Sequence, residues 1–509
     1  MNLSFIDLFE NDLKGVFPEI FLITGTIILL VYGVIYTTER RVLSKRNIAT
    51  PILIRNISWL GLYSLVLSFL LTINTPFLNG VIFYNSLVLD NFTYYLKLII
   101  FIATFSTILF SIDYLREEKL NSFEYIILIL FSTCSILLMV SSYDLIALYL
   151  AIEFQSLSFY VIAASKRNSE FSTEAGLKYF LLGAFSSGIL LFGCSMIYGF
   201  TGVTNLEELA KILTSLPEAP WITETGLFIG ILFLAVGFLF KLTAAPFHMW
   251  APDVYEGSPT SVTAFFSLAP KIAILGALSR VFFYSFYDLI LPWQKIFIVC
   301  SIASMILGAL AAVFQKKIKR LLAYSSIGHV GYMLIGLSCG TIEGVQALFL
   351  YLIIYIAMTI NIFSLLLALQ KIGRGGKERR LKYIADLRGL AHTNPILALT
   401  LTAVLFSIAG IPPLAGFFGK FYLFFTALSA SLYLLAVIGV VTSVISCFYY
   451  IRLVKIMYFE KINTWPLWGS IKRENSLLLA ITFFFILFLG IYPSPFFLVT
   501  HQMALALSF

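Results

Sequence analysis

The sequence predicts an all-α polytopic membrane protein of about 14 transmembrane helices, and three observations predict it. Of its 509 residues, 60% are hydrophobic and only 12% are charged, against about 25% charged in a soluble domain. Apolar runs long enough to cross a bilayer recur from end to end, and no loop between them is long enough for a soluble domain. The basic residues gather in alternate gaps, as the positive-inside rule demands of a chain that crosses repeatedly.

The runs fall near 18–37, 57–78, 91–112, 123–141, 143–165, 175–200 and 225–249, then 259–284, 293–314, 319–340, 343–370, 394–425, 430–459 and 475–498. Asp7, Glu10 and Asp12 precede the first run, where a secretory signal would carry positive charge, so none is predicted. An Arg- and Ser-rich, acid-poor transit peptide is not predicted either. The longer runs must tilt, kink or emerge from the bilayer.

With the N-terminus placed on the outer side, the inward gaps hold Arg40, Arg41, Lys45, Arg46 and Arg55, then Arg116, Lys119, Lys166 and Arg167. They go on to hold Lys316, Lys317, Lys319 and Arg320, and then Lys371, Arg374, Lys377, Arg379, Arg380, Lys382 and Arg388. The last inward gap adds Arg452, Lys455, Lys461, Lys472 and Arg473, making 25 of the 34 Lys and Arg. Outward segments hold only Lys14, Lys211, Arg280 and Lys295. Both termini are therefore expected on the outer side. The segment 250–258 has no basic residue, so its side rests on parity alone. This distribution makes the net charge of +8 a topology signal and not a nucleic-acid surface.

Two spans are interrupted by proline, which removes a backbone donor and clashes with the preceding turn. The seventh reads FKLTAAPFHMWAPDVYEGSP at 240–259, and the twelfth reads AGIPPLAGFFGKF at 409–421. Each carries a lysine, and they stand five spans apart. A five-span unit repeated in tandem must invert, because five is odd, and inverted repeats with broken helices are a transporter layout. The expected organisation is a three-helix segment at 1–122, a first unit at 123–284, an inverted second unit at 285–460 and a last helix at 461–509.

Five basic residues remain inside or at the margins of spans: Lys97, Lys178, Lys241, Lys271 and Lys420. A lysine at mid-bilayer costs about 2.5–3.5 kcal/mol on insertion scales, so something must compensate. Snorkelling accounts for Lys97, near the start of its span. Glu153 lies mid-span, where a carboxylate must lose its charge or find a cation. Lys178 is one candidate partner, although Glu174 stands four residues before it as a local ion pair. Lys241 and His248 both line the first break; histidine suits proton exchange, or it bonds carbonyls freed by Pro246. Lys271 directly follows Pro270. His329 sits among small residues that permit tight helix packing, as a relay or as a satisfied interior histidine. Asp253 and Glu256 are read as capping or water-facing, and the abundant Tyr and Phe as lipid contacts and interface anchors. Glu153, Lys178, Lys241, His248, Lys271, His329 and Lys420 together make a line of ionisable groups of the kind that proton relays use.

The five cysteines lack C-x-x-C spacing and lie in apolar runs, so they are read as small buried hydrophobes. GRGG at 373–376 follows no strand and is no dinucleotide fingerprint. No metal-ligand cluster, nucleophile elbow or P-loop is found, so redox and nucleotide chemistry are expected elsewhere.

The runs KLTAAPFHMWAPDVYEGSP, KRLLAYSSIGHVGYMLIGL and GIPPLAGFFGKFYLF resemble the antiporter-like membrane subunits of respiratory complex I. The last run, YPSPFFLVTHQMALAL, is similar to mitochondrially encoded members. The resemblance implies proton translocation across the mitochondrial inner membrane (or a bacterial plasma membrane), driven by NADH oxidation and ubiquinone reduction. It implies no cofactor in this chain, with flavin, iron–sulfur clusters and quinone held by partner subunits. The implied partners are other complex I subunits, especially adjacent antiporter-like and small membrane subunits, together with lipid. Glu153, Lys178 and Lys241 would then be the pump carboxylate, its neighbouring lysine and the pump lysine. Lys271 and His329 would connect the two units, and Lys420 would be the exit lysine. Two other classes stay open: a stand-alone Na⁺/H⁺ antiporter of the same fold, and a passive membrane scaffold.

Overall fold

The computed structural model describes residues 12–43, 51–75, 80–118, 120, 122–214, 221–372, 378–461 and 467–507. The topology residues Lys45, Arg46, Lys119, Arg374 and Lys377, the acids Asp7 and Glu10, and the 373–376 glycine run lie outside them.

Helices dominate, and among the described residues thirteen are long and apolar enough to cross a membrane. In chain order, α1 (Phe17–Leu43), α2 (Pro51–Asn74), α3 (Asn91–Glu117), α4 (Glu124–Ser141), α5 (Leu145–Ala163) and α6 (Glu170–Thr201) come first. A short surface helix, α7 (Leu206–Thr214), precedes α8 (Trp221–Leu242), α9 (Trp250–Gly257) and α10 (Thr260–Arg280). Then follow α11 (Ile290–Val313), α12 (Ile318–Ser338) and α13 (Ile342–Ala368). The twelfth span is two pieces, α14 (Pro395–Ala409) and α15 (Ala415–Ser429), before α16 (Tyr433–Tyr458), α17 (Arg473–Ile491) and α18 (Ser494–Leu505).

Local chemistry sets these limits. Asp90 and Thr93 form a reciprocal capping box at the start of α3. Asp144 caps α5 by accepting from the Ile146 amide at 2.7 Å, and Thr341 caps α13 through the Gly344 amide. Gly202, at φ 76°, ends α6 in the left-handed conformation that glycine tolerates. Most limits differ from the sequence reading by a few residues, and two of the differences have a plain cause. The second helix starts at Pro51, a favoured first-turn proline, and so takes in Arg55. The fourteenth run breaks after Ile491, because Pro493 cannot continue the ladder, and the chain restarts as α18.

Two small sheets were not foreseen. β1 (Gly80–Ile82) pairs antiparallel with β2 (Leu87–Leu89). β3 (Gln370–Ile372) lies between β4 (Glu378–Arg380) and β5 (Leu467–Trp468). Cys134, Cys194, Cys300 and Cys339 are buried free thiols, and Cys447 is half-buried.

The chain divides into two compact units. One comprises Met1–Leu234 and Ala269–Asp288; the other comprises Ala235–Leu268 and Leu289–Ser508. Within each, polar contacts join gaps that share a parity. In the first unit, Lys166 pairs with Glu118 at 2.6 Å, linking the gaps after α3 and α5. On its opposite parity, Asn205 donates to the Asn85 carbonyl and Thr204 to Asp144. In the second unit, Lys317 pairs with Glu256, the Ile318 amide donates to the Lys382 carbonyl, and Arg388 pairs with Glu460. Segment 250–258, which has no basic residue of its own, thus lies with the basic gaps, as parity requires. Asp253 and Glu256 are not simply capping or water-facing: Arg320 reaches them at 3.6 and 3.3 Å.

Candidate ion-translocating site

In the first unit, α5 places Glu153 halfway along its length. Ser156 Oγ donates to the Glu153 carbonyl at 2.9 Å and to Oε2 at 3.3 Å. Oε1 is sealed from solvent and has no hydrogen-bond partner among the described residues. On α6, Lys178 pairs with Glu174 at 2.8 Å, so the i, i+4 pairing forms; both side chains are substantially exposed on this chain. Lys271 is 3% exposed on α10, directly after the internal Pro270.

Lys97 overturns its sequence reading. It does not snorkel: it is 5% exposed and pairs with Glu19, itself 1% exposed, at 2.5 Å. Glu19 sits in the first turn of α1, and the sequence offered no periodic link between residues so far apart.

The second unit contains both helix breaks, and they are built alike. At the end of α8 the Ala244 amide donates to the Leu239 carbonyl and the Thr243 amide to Phe240, with Thr243 at φ 69°. At the end of α14 the Ile411 amide donates to Phe406 and the Gly410 amide to Ser407, with Gly410 at φ 91°. Each is a Schellman cap, and each lies three residues before a proline, Pro246 or Pro413. The bonds Ala245–Pro246 and Pro412–Pro413 are both cis. Trp250 ties the first break together by donating its indole N–H to the Phe240 carbonyl at 3.0 Å.

The lysines beside the two breaks lie at carbonyl ends. Lys241 occupies the last turn of α8, and its Nζ is sealed from solvent. Lys420, 4% exposed, reaches back from α15 and donates to the Ala409 carbonyl at 3.1 Å. Its Nζ also lies 5.1 Å from the centre of the Tyr332 ring. Such ends carry the negative pole of the helix, which suits a cation. His248 is buried beside the first break, and its Nδ1 has no hydrogen-bond partner among the described residues.

His329 sits on α12 where glycines bring helices close. A Cβ on Gly308 of α11 would meet the Gly328 amide nitrogen at 2.6 Å, and Ser301 of α11 donates to the Gly331 carbonyl. His329 Nδ1 lies 2.6 Å from the Tyr351 hydroxyl, and Nε2 lies 3.2 Å from that of Tyr450. Tyr450 in turn meets Ser325 Oγ at 2.5 Å. Sequence reasoning missed these tyrosines by assigning the aromatic excess to lipid. Tyr332, Tyr351, Tyr355, Tyr449 and Tyr450 are all buried. The available signal was weak: Tyr351 and Tyr355 are spaced to share one face of α13, four apart.

The geometry thus brings His329, Tyr351, Tyr450 and Ser325 together and sets Lys420 against Tyr332. Glu153, Lys178 and Lys271 lie in the first unit, and Lys241, His248, His329 and Lys420 in the second.

Comparison with known proteins follows the same line. The family described as NADH:quinone oxidoreductase/Mrp antiporter, transmembrane, matches residues 142–446. NADH-ubiquinone oxidoreductase chain 2 of Marchantia polymorpha is 64% identical over 98% of this chain and 100% of its own length. NADH-quinone oxidoreductase subunit N of Parvibaculum lavamentivorans is 44% identical, covering 96% of each chain. A solved structure of respiratory complex I from Thermus thermophilus contains a chain that aligns with a TM-score of 0.76 at 28% identity, over 94% of this chain and 97% of that one. The chain belongs to the NADH:quinone oxidoreductase/Mrp antiporter family of transmembrane proteins.

Proposed function

We propose that this chain is a membrane-arm subunit of a respiratory NADH:quinone oxidoreductase, and that it carries protons across the membrane. Oxidation of NADH and reduction of quinone take place in partner subunits that hold flavin, iron–sulfur clusters and quinone. The observation that carries the reading is the burial of amines inside spans, with Lys241 and Lys420 beside helix breaks, in a chain of this family. Lys271 and Lys420 are 3% and 4% exposed. A passive scaffold gains nothing from such groups, whereas a relay is made of them.

In this reading Glu153 and Lys178 bias Lys241, and Lys271 and His329 pass the proton on to Lys420, with His248 lining the first break. Burial favours a neutral amine and a nearby carboxylate favours a charged one, so small changes of distance load or unload a proton. The matching Schellman caps at the two breaks support two inverted units at 123–284 and 285–460, after an N-terminal segment 1–122 and before 461–509. The 64% identity to the Marchantia protein supports the mitochondrial inner membrane. The charge asymmetry supports both termini on the intermembrane-space side.

The test is Lys241→Met in the assembled complex, with proton translocation per NADH and quinone reduction measured together. At least one should fall about tenfold or more, as expected for loss of a proton-transfer group. Wild-type values for both would refute the assignment. Cation/H⁺ exchange by the purified chain alone in liposomes would favour a stand-alone antiporter instead.

A further inference from the structure

Arg280 reads in the sequence as an ordinary outward charge, yet it is 3% exposed. It is the last residue of α10, the helix that carries Lys271. Its Nη2 lies 2.7 Å from Asp90 Oδ2, while Oδ1 of the same carboxylate caps α3 by accepting from the Thr93 amide at 2.8 Å. Its guanidinium also stands 5.3 Å from the Phe92 ring centre. One turn earlier on α10, Gly276 packs so closely on α3 that an added Cβ would meet Leu96 Cδ1 at 2.7 Å. The end of α10 is therefore pinned to the start of α3 by charge, and Gly276 packs closely on the Leu96 side chain one turn away.

Lys271 sits nine residues before Arg280, about 13 Å along a helix rising about 1.5 Å per residue. Pro270 interrupts the ladder just before it. On the other side of Arg280 the helix changes to a single π turn, Val281–Ser285. The segment from Lys271 to Arg280 is thus an uninterrupted rod between two irregularities, with the amine at one end and the anchor at the other. We propose that Arg280 and Asp90 are positioning residues for Lys271, with Gly276 packing against Leu96 in the same docking. The inference rests on the proton-relay reading of Lys271.

The test compares Lys271→Met, Arg280→Gln, Arg280→Lys, Gly276→Ala and the double variant Lys271→Met/Arg280→Gln in the assembled complex. Assembly, proton translocation and NADH-driven quinone reduction are measured for each. A displacement of about 1 Å can cost about 100-fold in a positioned reaction, so Arg280→Gln should lose roughly 10- to 100-fold in translocation at normal assembly. Arg280→Lys should recover part of that loss. In quinone reduction the double variant should be no worse than Lys271→Met alone, because residues acting through one another are not additive. Losses that multiply would overturn the proposal, as would wild-type translocation by both Arg280→Gln and Gly276→Ala. If Arg280→Gln fails to assemble, Asp90→Asn decides, since it removes the charge facing Arg280 and keeps an oxygen for the Thr93 amide, and wild-type translocation by it refutes the proposal. Wild-type behaviour of Lys271→Met would instead refute the role of Lys271 itself.

Discussion

Replacing Glu19 by glutamine removes the carboxylate that faces Lys97 and leaves the amine behind. The pair is separated by 2.5 Å, with side chains only 6% and 1% exposed, so water offers the orphaned charge little relief. Breaking a buried pair by deleting one partner costs about 3–5 kcal/mol, because an uncompensated charge remains. Helix α1 packs on its unit along one face, while many of its other apolar side chains face outward. In a bilayer those faces gain nothing from leaving lipid. A loss of about 3–5 kcal/mol, at about 1.4 kcal/mol per tenfold, shifts the folded ratio of this region by two to three and a half orders of magnitude. The readout is the amount of chain recovered in the complex and its resistance to loss on heating. Glu19→Gln and Lys97→Met should each fall sharply. The double variant, which leaves two neutral groups of similar volume, should return close to wild type. Wild-type recovery of Glu19→Gln, or a double variant as poor as both single losses combined, would show that the two charges do not hold each other.

Two further outcomes follow from the second unit. Tyr351→Phe removes the hydroxyl 2.6 Å from His329 Nδ1; a buried group left unsatisfied costs about 1–3 kcal/mol, so proton translocation should fall while assembly persists, and unchanged translocation would remove Tyr351 from the relay. Gly416→Ala would drive a Cβ into the Ser407 carbonyl, which is backbone and cannot turn aside; a cost of about 1–3 kcal/mol from overpacking should appear as reduced recovery of the complex.

Most of the span pattern was legible because one physical requirement, a length of apolar chain matched to the bilayer, leaves a mark in one dimension. The two breaks were legible because proline cannot donate. What could not be read were contacts between residues distant in the chain. Lys97 looked like a snorkelling residue because its partner lies in another helix, Glu19. Tyr351 and Tyr450 looked like lipid anchors because an aromatic with a hydroxyl serves both purposes until a neighbour such as His329 is known. Arg280 followed the outward minority of charges, and nothing local revealed that α3 would bury it. Even the fourteenth run hid its division, since Pro493 stands so near the chain's end that the apolar stretch before it already met the length criterion.

The two kinds of buried lysine differ in what holds them, and the difference bears on which can carry a proton. Lys97 faces a carboxylate at 2.5 Å. If that amine gave up its proton, it would strand a buried carboxylate, which costs several kcal/mol. Lys420 is held by the Ala409 carbonyl and the Tyr332 ring, and no carboxylate among the described residues pairs with it. The negative end of a half-helix can contribute up to about 2 kcal/mol to a partly buried cation, and a desolvated cation–π contact contributes about 2 more. Together these come to as much as about 4 kcal/mol, enough to offset the roughly 2.5–3.5 kcal/mol that a lysine costs at mid-bilayer. The charged form is thus tolerated, yet its loss strands no opposite charge, because a carbonyl and a ring remain neutral. In the proposed relay, Lys420 could therefore exchange its proton without leaving a buried carboxylate behind. The same argument predicts that introducing a carboxylate beside Lys420, by Tyr332→Glu, would fix the proton instead of improving transfer. Translocation should then fall even in complexes that assemble fully, and a rate equal to or above wild type in such complexes would show that the absence of a carboxylate is incidental.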